Sequence, residues 1–163
     1  MTTAESTKRR PKYYPPNPNH AKTRARQRTI QALYQWQLNP EPADNIIQQF
    51  VDAQDLSNVN VDYFRELLTG VLTHRDDLDA QIKDLIKMPL ARLDPVEHCV
   101  MWLGCYELQY QMDIPYRVVI NEALELAKKF GADQGHKFVN GVLDKVVQTL
   151  RPLEWKATVT VTD

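Results

Sequence analysis

Across residues 21–150 the apolar side chains recur three and four positions apart, one turn of helix after another, and no segment supports a strand. Sheet architectures are thereby excluded. What remains is an all-α chain whose helices each bury one stripe, and short polar or proline-bearing links between them imply an antiparallel bundle of two three-helix subdomains. At 163 residues with 43% hydrophobic content, such a bundle can bury its core without disulfides or metal.

The pattern divides the chain further. A first helix is expected over 21–38, with Ala25, Thr29, Ile30, Ala32, Leu33, Tyr34 and Trp36 on its broad inner face and Arg24, Arg28, Gln31 and Gln35 opposite. Arg26 breaks this division, because it prolongs the apolar line of Ile30 and Leu33; it must overhang the core edge or meet a ligand there. A second helix is expected over 43–56. The stretch 61–86 reads as one long helix broken near Arg75, with Gly70 and Asp76–Asp77 as bend points. Asp94-Pro95-Val96-Glu97 is a helix start, with Asp94 as N-cap, Pro95 at the first helical position and Glu97 reaching back in a capping box. The helix that follows, to about Leu108, is apolar nearly all round and so belongs at the centre. Pro115 opens the next, which ends at Lys128-Lys129-Phe130-Gly131 with two cations and a C-cap glycine. A last helix is expected over 133–150. Three units result: a flexible basic, proline-rich leader (1–20), a helical domain (21–152) and a frayed C-terminal tail (153–163).

Charge is distributed unevenly. Residues 1–28 hold eight Lys and Arg against Glu5 alone, a net charge of +7, so the remaining chain carries −8. A basic end on an acidic body suits phosphate neutralisation with release of counterions. Basic blocks also mark solvated tails. Lys22, Arg24, Arg26 and Arg28 lie in the first helix, where free N–H groups and the helix dipole add to the attraction for phosphate. At the start of the last helix, Gly135-His136-Lys137-Phe138 sets a cation beside an aromatic ring, a combination suited to phosphate contact plus base stacking, although the spacing serves Phe138 equally well as core.

Signatures of catalysis are missing: no Walker loop, no Rossmann glycine motif, no HExxH and no nucleophile elbow. No metal site is expected, because His20, His74, His98 and His136 fall in different segments, and adjacent His98 and Cys99 point to different helix faces. Cofactors are not indicated. Carboxylates at Asp76–Asp77 and Glu122/Glu125 have the spacing of solvated helix faces, and Glu107 reads as a rim residue. Two cysteines in an apolar segment, with no signal peptide and no apolar stretch of about 18 residues, place the chain in a reducing cytoplasm, away from membranes.

Several ordered blocks carry a family resemblance. Gln31-Ala-Leu-Tyr-Gln-Trp-Gln-Leu38, Leu67-Leu-Thr-Gly-Val71, Leu93-Asp-Pro-Val-Glu97, Leu103-Gly-Cys-Tyr-Glu-Leu108, Asp113-Ile-Pro-Tyr-Arg-Val-Val-Ile-Asn-Glu-Ala123, Glu125-Leu-Ala-Lys-Lys-Phe-Gly131 and His136-Lys-Phe-Val-Asn-Gly-Val-Leu-Asp-Lys145 resemble the NusB family of transcription antitermination factors over about residues 22–151. The resemblance implies a non-enzymatic protein of two three-helix subdomains. With the ribosomal small-subunit protein NusE, such a protein binds the boxA element of nascent ribosomal RNA leader transcripts and joins the RNA polymerase antitermination complex. It implies RNA contacts at Lys22, Arg24, Arg26, Arg28, Lys137 and Phe138, and places Tyr34 and Glu97 at the NusE-bound complex. Two features depart from the family: the leader is longer, and Gln134-Gly135 stands where an acidic residue and serine are usual. The same module also occurs fused to ribosomal RNA cytosine methyltransferases, which makes an appendage or scaffold role the alternative. The sequence leaves monomer against homodimer open.

Overall fold

The computed structural model describes residues 18–162, and every regular element among them is helical. Eight α-helices follow one another: α1 (Pro18–Leu38), α2 (Ala43–Ala53), α3 (Val61–Thr73), α4 (Arg75–Lys83), α5 (Pro95–Tyr110), α6 (Tyr116–Phe130), α7 (Gly135–Leu150) and α8 (Pro152–Thr162), with a 3-10 turn at Leu90–Arg92 before α5. The helices α1, α2 and α3 pack into one lobe and α5, α6 and α7 into another. α4 bridges them, touching α3, α5 and α7, and α1 belongs to both lobes because it packs against α3 and α5. The two three-helix units expected from the sequence are present, and they share one continuous core.

Each helix has local reasons for its limits. Asn60 caps α3 by accepting from the Tyr63 amide at 3.0 Å, and Asp94 caps α5 by accepting from the Val96 and Glu97 amides at 3.0 and 3.1 Å. The capping box is only half formed, since the Glu97 side chain turns away toward α7. The break in the long stretch falls at His74, which ends α3 and begins α4. Gly70 is not a bend point: it lies inside α3, where a Cβ would stand 2.3 Å from the Tyr106 ring, so glycine lets α3 approach α5. Gly104 does the same on the other side of α5, where Leu143 fills the space a Cβ would need. Central burial of α5 follows, with Cys99 to Leu108 all inside.

Two expectations about the ends change. Residues 18–20 form the first turn of α1 rather than part of a leader, while 1–17 lie outside the described residues. The tail expected to fray is the helix α8. It is tied by Arg151, whose guanidinium donates to the carbonyls of Glu107 (3.2 Å), Leu108 (3.0 Å), Gln111 (2.9 Å) and Ile114, and pairs with Glu154 at 3.1 Å. Glu154 in turn accepts from the Tyr116 amide at 2.8 Å, capping the uncapped start of α6.

Contacts along the helices fix their directions. Arg26 meets Glu107 and Trp36 meets Trp102, so α1 runs antiparallel to α5. Gly135 meets Glu97 and Leu143 meets Gly104, so α7 runs parallel to α5. The connecting helix α6 runs opposite to both and therefore alongside α1 in the same direction.

Candidate nucleic-acid interface

The basic residues of α1 part company once their surroundings are known. Arg26 is buried, 3% exposed, and its donors are committed: Nε to both Glu107 oxygens at 3.0 Å, Nη2 to Glu107 Oε2 at 3.0 Å and Nη1 to Glu122 Oε1 at 3.5 Å. Thr23 Oγ1 donates to the same Glu122 oxygen at 2.9 Å, and the Tyr63 hydroxyl donates to Glu107 Oε2. Burial works against the Arg26 charge, but the Glu107 carboxylate outweighs it and leaves the guanidinium more firmly protonated than usual. Burial, reinforced by Glu107, likewise pushes Tyr63 upward, so the phenol stays a donor. The apolar-side position of Arg26 thus leads to an internal ion pair, with its charge turned into the bundle toward Glu107 and Glu122. Glu107, expected at a rim, is the centre of that cluster at 1% exposure. Glu122, expected on a solvated face, belongs to it as well.

Around this buried anchor the other cations are accessible. Lys22 is half-buried, with Nζ 5.0 Å above the Tyr63 ring. Arg24 is exposed, and its Nη1 reaches the Asn58 carbonyl at a long 3.4 Å. Arg28 is half-buried, and its Nε, shielded from solvent, has no hydrogen-bond partner among the described residues. Asp55 lies close by, held below its ordinary range by hydrogen bonds from Ser57 and by the Arg28 charge. Lys22, Arg24 and Arg28 therefore surround the first turns of α1 with donors that are not taken by strong internal acceptors.

The second basic group sits elsewhere. Lys137 is exposed on the first turn of α7, and Phe138 beside it is half-buried against the core. That turn lies level with Glu97, ten residues of α5 or about 15 Å from Glu107. The two groups are thus at different heights of the bundle, and a groove lined by Thr23 and Gln27 of α1 and by Val118, Asn121 and Lys129 of α6 opens beside the first of them. Gln134 precedes α7 in the left-handed region (φ 67°) without a side-chain cap, and the Gly135 and Lys137 amides are taken by the carbonyls of Ala132 and Gln134 at 3.0 and 3.2 Å.

Tyr34 projects from α1 at 39% exposure. Glu97 is only 7% exposed, its carboxyl packed where a Gly135 Cβ would come within 2.8 Å, and burial with the nearby Asp94 pushes it above the usual carboxylate range. Among the described residues no three His, Cys, Asp or Glu side chains gather as for a metal, and no helix is long and apolar enough to cross a membrane.

An all-helical, two-lobed bundle with a basic first helix anchored through a buried Arg–Glu–Tyr cluster defines a narrow class of protein. Within that class the sequence profile of the NusB family matches residues 23–148, and the chain belongs to the NusB family. It is 49% identical over 132 residues to the transcription antitermination protein NusB of Idiomarina loihiensis, covering 81% of this chain and 95% of that one. The corresponding protein of Pseudoalteromonas atlantica is 47% identical over 134 residues, covering 82% and 96%. Among solved structures, the fold is similar to T. maritima NusB (TM-score 0.71, 29% identity, 82% of this chain and 96% of that one). It is also similar to a crystal structure of antitermination factors NusB and NusE in complex with dsRNA (TM-score 0.69, 25% identity, 78% and 96%).

Proposed function

We propose that this protein is a non-catalytic RNA-binding transcription antitermination factor, which binds boxA-type leader RNA jointly with the ribosomal protein NusE and thereby helps RNA polymerase read through terminators. The observation that carries the reading is the similarity, over 78% of the chain, to a NusB that was crystallised with NusE and RNA. The exposed Arg24 and the half-buried Lys22 and Arg28 supply the charge such a ligand needs, the exposed Lys137 adds to it, and Phe138 is half-buried beside it. Arg26 supports the site from within. For NusE the reading uses Tyr34 as a direct contact and Glu97 as the residue that sets the corner of α5 and α7. A factor of this kind works in the cytoplasm. The relatives are matched over 95–96% of their own length, which favours a stand-alone factor over an appendage to a methyltransferase.

Titration of labelled boxA-type RNA with and without NusE tests this. Each phosphate neutralised contributes about −0.7 to the slope of log affinity against log salt for a single strand. Arg24→Ala is expected to make that slope shallower by about 0.7, and NusE is expected to raise RNA affinity while RNA raises NusE affinity by the same factor. RNA affinity unchanged by Arg24→Ala combined with Arg28→Ala refutes the site. Full NusE affinity with no effect of RNA makes the protein a scaffold only.

A further inference from the structure

We infer that the groove between α1 and α6 is a base-reading subsite, in which Gln27 and Asn121 recognise an amino-bearing base, adenine above all. The inference rests on the RNA-binding reading above and specifies what part of the ligand enters this face of the protein. The groove has a volume of about 460 Å³, within the range of sites that hold small organic groups. It is walled by Thr23 and Gln27 of α1 and by Val118 to Lys129 of α6. Val118, 42% exposed, and the buried Leu126 give it an apolar floor on which a ring can rest. Gln27 approaches from α1 and Asn121 from α6, and neither amide has a hydrogen-bond partner among the described residues.

Charge decides which part of a strand can lie here. Glu122 is already engaged by Thr23 and Arg26, and Glu125 is paired with Lys128 at 3.6 Å while 73% exposed at the groove mouth. Two carboxylates along the α6 wall repel phosphate. A strand following the groove therefore turns its phosphates outward, toward Lys129 at the rim, and its bases inward. Inside, the base feature that complements a carboxylate is an exocyclic amine. A side-chain amide carries one donor and one acceptor, and adenine presents an amine next to a ring nitrogen on both its Watson–Crick and Hoogsteen edges. Uracil has no amine at all. The groove thus discriminates by hydrogen bonding where the α1 cations only attract.

The test uses the full chain with two labelled single-stranded RNAs of equal length, oligoadenylate and oligouridylate, at one salt concentration. Wild-type protein is expected to prefer oligoadenylate. Gln27→Ala combined with Asn121→Ala is expected to lower that affinity by about tenfold or more, in line with one lost bidentate contact, and to leave oligouridylate binding and the salt slope unchanged. Arg24→Ala is expected to weaken both RNAs alike. Neither amide supports the core, so unchanged circular dichroism will accompany the double variant, and Asn121→Asp, which keeps the shape and removes the donor, should reproduce part of the loss. An adenine preference that survives the double variant, no preference in the wild type, or equal weakening of both RNAs by the double variant, overturns the subsite. A wild-type chain that binds neither RNA refutes the RNA reading itself.

Discussion

Replacing Arg26 by alanine leaves the Glu107 carboxylate inside the protein with Tyr63 as its remaining donor among those seen. Breaking one side of a buried ion pair typically costs about 3–5 kcal/mol, because the other charge stays desolvated. Arg24→Ala, two residues away on the surface, is expected to change stability by no more than about 0.5 kcal/mol. Urea unfolding of the two variants separates anchor from contact, and an Arg26→Ala protein as stable as wild type would contradict the cluster. The odd position of Arg26 was legible in the sequence, where it interrupts the apolar line of α1. Its partner was not, because Glu107 is 81 residues away and nothing in a single sequence links them. Gly70 has the same history. Read along the chain it is a bend; in the fold it is the place where the Tyr106 ring touches α3, and Gly70→Ala is expected to cost about 1–3 kcal/mol through overpacking. The cysteines were placed correctly inside an apolar segment, and burial raises both thiols, Cys105 to about 12. Since the thiolate is the reactive form, alkylation by iodoacetamide at pH 8 is expected only after unfolding.

Helices announce themselves when they bury a stripe, and α2, α3, α6 and α7 do so, which is why their spans come within a few residues of the spacing. The helix α8 carries almost no such stripe. What holds it is a polar arrangement, Arg151 donating across the end of α5 and Glu154 accepting from the first amide of α6, whose partners lie 37–44 residues earlier in the chain. A β-branched tail without a partner strand therefore looked loose. Arg151→Met tests the arrangement at the scale of the element. Losing charge-assisted hydrogen bonds to several carbonyls is expected to lower stability by at least about 2 kcal/mol. Trp155, whose ring lies 6.0 Å from that of Tyr116, is expected to shift to longer-wavelength emission as α8 lets go. An unchanged Trp155 spectrum would show that α8 is held by something other than Arg151. The start of α7 shows the reverse relation, where an expectation from sequence carries a physical consequence. Gln134-Gly135 lacks the usual acid and serine, and Gly135 leaves room for the Glu97 carboxyl against the helix end. Because that carboxyl ends a flexible side chain, Gly135→Ser is expected to be tolerated in stability while turning Glu97 outward, a change visible in a crystal structure of the variant.

The two three-helix lobes suggest two folding units, yet the way α1 is used argues against independence. Its residues pack on α3 through one side and on α5 through the other, its Arg26 ties Tyr63 of the first lobe to Glu107 of the second, and Trp36 meets Trp102 across the same boundary. Neither lobe keeps its core once α1 leaves. α4 adds a further link, since Asp79 accepts from His98 and from Trp102, both at 2.7 Å. The whole bundle is therefore expected to unfold in one cooperative transition, as single cores of this size usually do. Circular dichroism at 222 nm, which follows all helices, and fluorescence of Trp36 and Trp102 in a Trp155→Phe background, which follows the boundary, should give coincident midpoints and slopes in urea. Arg26→Ala should move both curves together. Separate transitions, with helical signal persisting after the boundary has opened, would mean that α1 belongs to one lobe only. The proposed RNA surface on its outer face would then be free to move relative to α6 and α7. A single transition instead makes α1 a rigid strut, so that cations, amide-lined groove and the Lys137 turn meet a ligand at fixed spacing, which a partner protein bound on the same bundle can reinforce.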